Sequence, residues 1–290
     1  MPEKSHLSKS VFDKALTTEA SKDYKLSILI SRDGFSYSIF DTPRNKYSAL
    51  EAYDFQDVFN TEVLASVLKE IINASEWLSN HYDRVKIIWD NDQKTLIPKP
   101  LFLTGEEMNY LKFNHLLTEE DVVRYDQLPN LEAVNVYGMP QTILLLLEKY
   151  FPGASINHAS SALIENLLIN NKNRDESNVI FVNVKTNDFD IAVLDGKKLL
   201  FFNSFSYRTK EDFAYYLIYV VEQLGMNPEK VEMMLLGEVL KVSDIYDITY
   251  KYVREVRFMH RNEDFAYSYV FDDIPEHFYY NLLNLQRCEL

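Results

Sequence analysis

Two stretches of the chain alternate apolar and polar residues on either side of a short turn. Residues 25–41 read KLSILISRDGFSYSIFD, and residues 179–195 read VIFVNVKTNDFDIAVLD. Alternation with a period of two predicts half-buried strands. The pairs Asp33-Gly34 and Asn187-Asp188 favour tight turns, because Gly, Asn and Asp tolerate positive φ better than other residues. Each stretch is therefore predicted to be a β-hairpin.

The two stretches align without a gap at an offset of 154 residues, so that Leu26 falls on Ile180 and Asp41 on Asp195. A third strand follows each hairpin, at 46–55 and 198–205. In each half, an apolar stripe with helical spacing follows the third strand and predicts a helix. Thr209 and Asp212, at the start of the second of these helices, have the spacing of a capping pair. Continuous apolar strands close the two series at 84–90 and 230–237. The predicted order is β-β-β-α-β, present twice, which indicates an internal duplication.

Composition and charge restrict the class of partner. The chain has 290 residues, of which 47% are hydrophobic, enough for two cores of ordinary size. Its formal charge of −14 disfavours nucleic acid and anionic membrane surfaces as partners, because both are bound mainly through Lys and Arg. Cys288 is the single cysteine, so no intrachain disulfide is possible. No stretch resembles a signal peptide or a membrane span, and we predict a cytoplasmic protein without membrane insertion.

Glycine is scarce. The chain contains seven glycines, and no two of them are closer than twelve residues. Phosphate-binding loops and dinucleotide fingerprints need glycines two to five residues apart, so that the backbone can approach a phosphate. The sequence therefore excludes both motifs.

The middle of the chain carries a family resemblance. After the strand at 84–90 comes TLIPKPLFLTGEEMNYLKF, an extended segment followed by a helix, and residues 131–167 read as strand, helix, strand, helix. Together with the repeated β-β-β-α-β order, this resembles the actin-like ATPase (ribonuclease H-like) fold of actin, sugar kinases and Hsp70 chaperones. The pattern is most similar to the type IV pilus assembly and type II secretion branch. The chain is identified as a member of a bacterial family of uncharacterised function with this fold.

The resemblance implies an α/β protein with two lobes around a central cleft. Residues 24–152 would form the first lobe, including a small extra subdomain at about 92–130, and residues 153–290 would form the second lobe. Residues 1–23 are polar and lack an apolar stripe. We expect them to be a flexible N-terminal lead.

Active members of the fold carry an aspartate and glycines in each hairpin, which bind Mg²⁺ and phosphate. In the second hairpin, Asn183 occupies the position of that aspartate, and Lys185 and Asn187 occupy the positions of the two glycines. In the first hairpin, Leu29 replaces the aspartate and Ser31 the glycine. The family also has a Gly-Gly turn after the last strand, and Gly237-Glu238 occupies its place here, so one of its two glycines is retained. Both metal-directed carboxylates are missing, so we predict no catalytic residues, no cofactor and a chain that is not an active ATPase or kinase.

Candidate ligand-binding residues remain in the cleft: Asn183, Lys185, Asn187, Gly237 and Glu238. The Lys185 ammonium could contact a phosphate, although surface lysines beside a turn are commoner. The six histidines show no metal-ligand spacing, and Asp90-Asn91-Asp92 is also ordinary loop sequence, so no metal site is predicted.

An aromatic segment lies near the end of the chain. Residues 264–283, DFAYSYVFDDIPEHFYYNLL, are rich in Tyr and Phe. These rings could form a protein interface, with Tyr279 and Tyr280 as test positions, or close the core of the second lobe. Our first hypothesis is a non-catalytic scaffold or regulator with an unidentified protein partner and an undetermined oligomeric state. The second is a divergent nucleotide or small-ligand binder.

Overall fold

A computed structural model describes residues 4–174 and 178–290. The strands are β1 (Ser5–Phe12), β2 (Tyr24–Ile30), β3 (Gly34–Asp41), β4 (Lys46–Phe55), β5 (Arg84–Trp89), β6 (Lys94–Pro98), β7 (Asp121–Leu128), β8 (Ala133–Pro140), β9 (Ser155–His158), β10 (Asn178–Val184), β11 (Asp188–Asp195), β12 (Lys198–Ser206), β13 (Glu232–Gly237), β14 (Glu255–Phe258) and β15 (Ala266–Tyr267). The helices are α1 (Thr61–Ala74), α2 (Glu107–Lys112), α3 (Gln141–Tyr150), α4 (Ala159–Asn171), α5 (Lys210–Gln223), α6 (Asp244–Tyr252) and α7 (Tyr280–Asn284). No helix within these described ranges is both long and apolar enough to cross a membrane.

The chain divides into two compact units. The first contains the chain up to Asn166 together with Glu263–Asp273 and Asn281–Leu290, and the second contains Leu167–Asn262 and Ile274–Tyr280. This differs from the expected division at residue 152 in two ways. Strand β9 pairs with β5 and extends the first unit to Asn166, and Glu263–Asp273 and Asn281–Leu290 return to that unit. In that unit β15 pairs with β4 through Ala266 and Lys46.

The main sheet of the first unit has the strand order β1-β4-β3-β2-β5-β9, with β15 added on β4. Helix α1 packs on this sheet through the predicted apolar stripe, which includes Leu64, Leu68 and Ile71. The Asn60 side chain accepts a hydrogen bond from the Val63 N–H and begins the helix. Alternation along β2 and β3 places Leu26, Ile28 and Ile39 in the same core.

The sheet of the second unit has the order β12-β11-β10-β13-β14. Helix α5 covers one face, and its Phe213, Leu217 and Val221 pack among the apolar residues of β10 and β11. The predicted capping pair is confirmed: Thr209 accepts the Asp212 N–H, and Asp212 accepts the Thr209 N–H. Apolar burial of one face and the capping box at its first turn thus stabilise α5.

The two hairpins pair in the same register. Leu26 opposes Ile39 and Ile30 opposes Phe35 in the first, while Ile180 opposes Val193 and Val184 opposes Phe189 in the second. These partners correspond at the offset of 154 residues. A register shift also falls at matching places, between Ile39 and Phe40 on β3 and between Val193 and Leu194 on β11. The predicted α/β fold with two β-β-β-α-β units is confirmed.

A smaller sheet, with the order β6-β8-β7, belongs to the first unit. Helix α2 packs on it, and Leu111, Val134 and Val136 form a separate small core. Residues 94–140 thus contain the extra element that the resemblance implied. We call this sheet and its helix the small subdomain.

The N-terminal segment differs from the expected flexible lead. Residues Ser5–Phe12 form β1, which pairs antiparallel with β4, and Thr18–Asp23 form a short 3-10 helix. Residues 1–3 lie outside the described residues. The segment has too few apolar residues to predict a strand, but backbone hydrogen bonds to a pre-existing strand edge do not require them. Asp13, which follows β1, is fixed by the Lys46 ammonium at 2.6 Å and by the Ser268 hydroxyl at 2.7 Å.

Candidate functional site

The five candidate residues lie together in the second unit. Asn183 is on β10, Lys185 and Asn187 lie in the turn between β10 and β11, and Gly237 ends β13 beside its partner Val184. Glu238 follows Gly237, and its N–H donates to the Val184 carbonyl at 2.7 Å. Adjacent parallel strands bring their carboxyl ends to the same edge of the sheet, and this local geometry unites the five positions.

Gly237 permits the close approach of β13 to β10. Its φ is +83°, in the left-handed region that favours glycine. A Cβ at this position would lie 2.2 Å from the Val184 carbonyl oxygen and 2.8 Å from Asn183 Oδ1. The Gly237 N–H donates to the His277 carbonyl at 2.9 Å, so this backbone donor already has a partner.

A polar cluster occupies the face of the hairpin that carries Asn183. The Asn183 amide donates to Asp190 Oδ2 at 3.0 Å, across the strand pair. The Lys185 ammonium lies 2.6 Å from Asp188 Oδ1 and 3.4 Å from Asp190 Oδ2. Ser204 on β12 donates its hydroxyl to Asp190, whose side chain is buried. We call Asn183, Lys185, Asp188, Asp190 and Ser204 the hairpin cluster.

The hairpin cluster and the adjoining turn hold more negative than positive charge. One ammonium, that of Lys185, faces the two carboxylates of Asp188 and Asp190. The Glu238 carboxylate lies against the same turn and accepts a hydrogen bond from the Thr186 hydroxyl at 3.0 Å. A polyphosphate here would meet three carboxylates and one lysine that is already paired, which is unfavourable by Coulomb's law. The sequence had left Lys185 as either a phosphate contact or a surface lysine, and in the structure it is an ion-pair partner.

The turn itself is closed by internal hydrogen bonds. The Lys185 N–H donates to the Asp188 carbonyl at 2.9 Å, and the Tyr207 hydroxyl donates to the Lys185 carbonyl at 2.7 Å. The Tyr207 N–H donates to the Asn187 carbonyl at 3.1 Å. These bonds give the Lys185 N–H and the carbonyls of Lys185 and Asn187 partners within the protein.

The first hairpin is closed in a similar way. The Ser31 hydroxyl oxygen accepts the N–H groups of Asp33 at 3.2 Å and Gly34 at 3.0 Å. The Ser31 oxygen therefore accepts hydrogen bonds from turn N–H groups that, by the resemblance, would bind phosphate. Leu29, at the position of the aspartate, packs against the buried Ile88 and contributes no ligand atom.

In the segment Asp90-Asn91-Asp92, the Asn91 side chain belongs to a hydrogen-bond network. The Asn91 amide donates to the Gly138 carbonyl at 2.9 Å, and Asn91 Oδ1 lies 3.1 Å from His158 Nε2. Asp126, in turn, accepts the His158 N–H at 2.7 Å. No group of three or more His, Cys, Asp or Glu side chains suited to a metal ion occurs within residues 4–174 and 178–290.

The C-terminal aromatic segment divides between the two units. In the first unit, Phe265 meets the Tyr47 ring edge-on and Tyr267 stacks on it, and Phe271 is buried. The idea that these rings close the second core is therefore wrong for this part, because β15 carries them to the edge of the first sheet. Tyr280 is buried and accepts a hydrogen bond from the Asn170 amide, so it is not a suitable test position for an interface.

The small subdomain exposes a set of apolar side chains that the sequence patterns did not predict. Phe113 is 88% exposed and Leu116 is 96% exposed. Further exposed members of the set are Leu101, Leu103, Met108 and Tyr125. We call these six residues the apolar patch. A signal was present, since residues 101–117 hold more apolar side chains than the six-residue helix α2 can bury.

The fold and the repeated units define the class: this is a protein of the actin-like ATPase fold. The chain belongs to the family described as "Protein of unknown function (DUF3822)", whose model matches residues 13–256. It is similar to a Bacteroides thetaiotaomicron protein with an actin-like ATPase fold and unknown function. The identity is 29%, the TM-score is 0.75, and the match covers 84% of this chain and 93% of that one.

A second solved structure shares the fold at lower identity. It is the PilM–PilN type IV pilus biogenesis complex, with 12% identity, a TM-score of 0.57, and coverage of 84% of this chain and 90% of that one. None of the curated proteins matches the chain.

Proposed function

We propose that this protein is a non-catalytic scaffold or regulator that uses a degenerate actin-like ATPase fold to bind a protein partner. The observation that carries the interaction role is the apolar patch. Large apolar side chains exposed together on one small element are typical of protein-binding surfaces, whereas isolated ones are common everywhere. One of the solved structures with this fold is itself a complex, the PilM–PilN type IV pilus biogenesis complex, which is in keeping with the proposal.

The hairpin cluster supports the absence of ATP hydrolysis. Phosphoryl transfer depends on positioned Mg²⁺ and on groups that stabilise negative charge on the phosphates. Asn183 and Leu29 stand at the two aspartate positions, and the Lys185 ammonium is held by Asp188 and Asp190. We therefore propose a pseudo-ATPase that acts in the cytoplasm. We also propose that its two halves arose by internal duplication, for which the matching register shifts are the main support.

The proposal is tested by recovering partners with tagged protein and changing the apolar patch. We expect the double variant Phe113→Ser, Leu116→Ser to lose a partner that wild-type protein retains, because these side chains would no longer supply apolar contact area. Their exposure means that the fold should be unaffected. The matched control is Val242→Ser, an apolar residue that is 88% exposed in the second unit. Equal recovery by all three proteins would contradict the proposal.

The second candidate function, nucleotide or small-ligand binding, is favoured by one observation. The glycine turn at Gly237 persists beside Lys185, whose side chain is still 21% exposed. Melting the protein with millimolar ATP, ADP or GTP, with and without Mg²⁺, separates the candidates. A ligand at 100 times its dissociation constant adds about 2.7 kcal/mol of stability. We expect no shift in melting temperature that depends on Lys185, and a shift that is lost in Lys185→Met would establish the second candidate instead.

A further inference from the structure

A cavity in the first unit is lined by an unusual number of cationic side chains. Its volume is about 500 Å³, within the roughly 300–1,000 Å³ typical of small-molecule sites. Arg84, Lys86 and Arg287 line it, and Glu289 is the one carboxylate side chain among the lining residues. The whole chain has a formal charge of −14, so this local excess of positive charge runs against the average.

Lys86 is the central group. It is 4% exposed, and its ammonium donates to the backbone carbonyls of Leu285 and Cys288. Burial lowers the pKa of Lys86 below its ordinary value. Buried lysines are normally paired with a carboxylate, yet within residues 4–174 and 178–290 no carboxylate forms an ion pair with Lys86. The ammonium is held by two carbonyls, and the Glu289 carboxylate offsets part of its charge.

The other two cations differ in how far they are neutralised. Arg84 lies two residues before Lys86 on β5, so both side chains point to the same face of the sheet. In the part of the chain that the structure describes, Arg84 makes no ion pair. Arg287 is paired with the exposed carboxylate of Asp264 at 3.1 Å. Lys25 on β2, the strand partner of Arg84, adds further positive charge near Lys86.

Two polar atoms of the lining are buried without a hydrogen-bond partner among the described residues, namely Ser155 Oγ and Gln286 Oε1. Ser155 is the strand partner of Lys86. The Gln286 amide nitrogen donates to the Leu26 carbonyl at 3.3 Å and contacts Ser27 Oγ at 2.8 Å. Because a carbonyl can only accept, these contacts fix the amide orientation and leave Oε1 as the unused acceptor. Buried polar atoms usually have a hydrogen-bond partner, which a water molecule or a ligand can supply.

We propose that this cavity binds a small molecule carrying a phosphate or carboxylate group. Arg84 and Lys86 bind the anionic oxygens through charge-assisted hydrogen bonds. Ser155 donates its hydroxyl to the same group, and Gln286 Oε1 accepts from a hydroxyl of the ligand, or from the P–OH group of a hydrogen phosphate. This site lies within the first unit and is independent of both the apolar patch and the hairpin cluster.

The test measures thermal stability and binding heat of the full chain with two probes, inorganic phosphate and succinate, at constant ionic strength maintained with NaCl. The variants are Arg84→Gln, at an exposed position, and Lys86→Met, which keeps the side-chain volume without the charge. The control is Arg254→Gln, which removes the same charge from a site 73% exposed in the second unit.

We expect a saturable rise in melting temperature with one probe, retained in Arg254→Gln. We expect Arg84→Gln and Lys86→Met to weaken the apparent affinity by at least about tenfold, since each removes one charge-assisted hydrogen bond. A response to phosphate alone or to succinate alone identifies the anionic group. No response to either probe, or an equal response in all four proteins, would overturn the proposal.

Discussion

At the end of β13, the close contact with β10 requires a glycine at position 237. Two separate obstacles oppose any side chain there: the positive φ, and the separation of only 2.2 Å that an added Cβ would have from the Val184 oxygen. The first is conformational strain, and the second is overlap with backbone that cannot rotate away. Gly237 therefore sets how closely the end of β13 lies to Val184 and Asn183.

We predict that Gly237→Ala lowers the free energy of unfolding by roughly 2–4 kcal/mol, from strain and overlap combined. The control is Gly105→Ala, because Gly105 has a φ of +93° but no atom within 4 Å of the added Cβ. Urea unfolding of both variants separates strain from overlap. Equal losses of stability in the two variants would show that the overlap is relieved at no cost.

Asp13 supplies a pH-dependent contribution to stability. Burial by itself raises the pKa of the Asp13 carboxyl, but hydrogen bonds from Lys46, the Ala15 N–H and Ser268 outweigh burial and lower the pKa to about 2. The ordinary value is 3.8, so the folded state favours the ionised form. The stability is therefore present above about pH 4 and is lost as the pH falls through 2.

We predict that wild-type protein is more stable than Asp13→Asn at pH 6 and that the difference shrinks between pH 4 and pH 2. The free energy of unfolding, measured by urea titration at each pH, gives the difference directly. Because the variant cannot ionise at this position, its own acid sensitivity serves as the baseline. A difference that stays constant down to pH 2 would refute the role of the ionised carboxylate.

Helix α5 illustrates how an element is fixed at one end by local chemistry and along its length by packing. The capping box of Thr209 and Asp212 satisfies backbone donors that the helix itself leaves unpaired. Phe213, Leu217 and Val221 then bury one face in the second core. Both features follow from local sequence, and both were predicted correctly.

We predict that Thr209→Ala lowers the free energy of unfolding by about 1 kcal/mol, because the Asp212 N–H loses its acceptor. Thr209→Ser keeps the hydroxyl and should retain most of the stability. Chemical denaturation of the three proteins measures the difference. Equal losses for Ala and Ser would mean that the Thr209 methyl group, rather than the cap, stabilises the helix.

The strand β1 shows the opposite case, an element that its own sequence does not specify. Its residues Ser5–Phe12 alternate between exposed and half-buried positions, and its hydrogen bonds go to β4.

The correspondence of the two halves at an offset of 154 residues also predicts only part of what the strands do. It predicted the two hairpins, whereas the shared register shift after Ile39 and Val193 emerged only from the strand pairing.

The charge of the whole molecule leads to a further prediction. At a formal charge of −14, we expect no measurable binding to duplex DNA at about 0.15 M salt, because few phosphates could be neutralised. Fluorescence anisotropy of a labelled duplex provides the measurement. The cations around the cavity of the first unit are a local exception, and Arg84→Gln, at an exposed position, is the appropriate comparison should any binding appear.

Local sequence patterns predicted the repeated β-β-β-α-β order and the capping pair of α5, because alternation and helical stripes act over a few neighbouring residues. They placed both hairpin turns one residue too late. The Ser31 N–H donates to the Gly34 carbonyl and the Lys185 N–H to the Asp188 carbonyl, so the turns are centred on Arg32-Asp33 and Thr186-Asn187. The five candidate positions came from the family resemblance and stay predictions as ligand-binding residues, whereas their side-chain contacts emerged from the folded chain alone. Lys185 pairs with Asp188 and Asp190, Lys86 is buried beneath Cys288, and Ala266–Tyr267 joins the first sheet. These outcomes depend on residues far apart in the chain or on rotamers chosen by packing, and no local pattern records them.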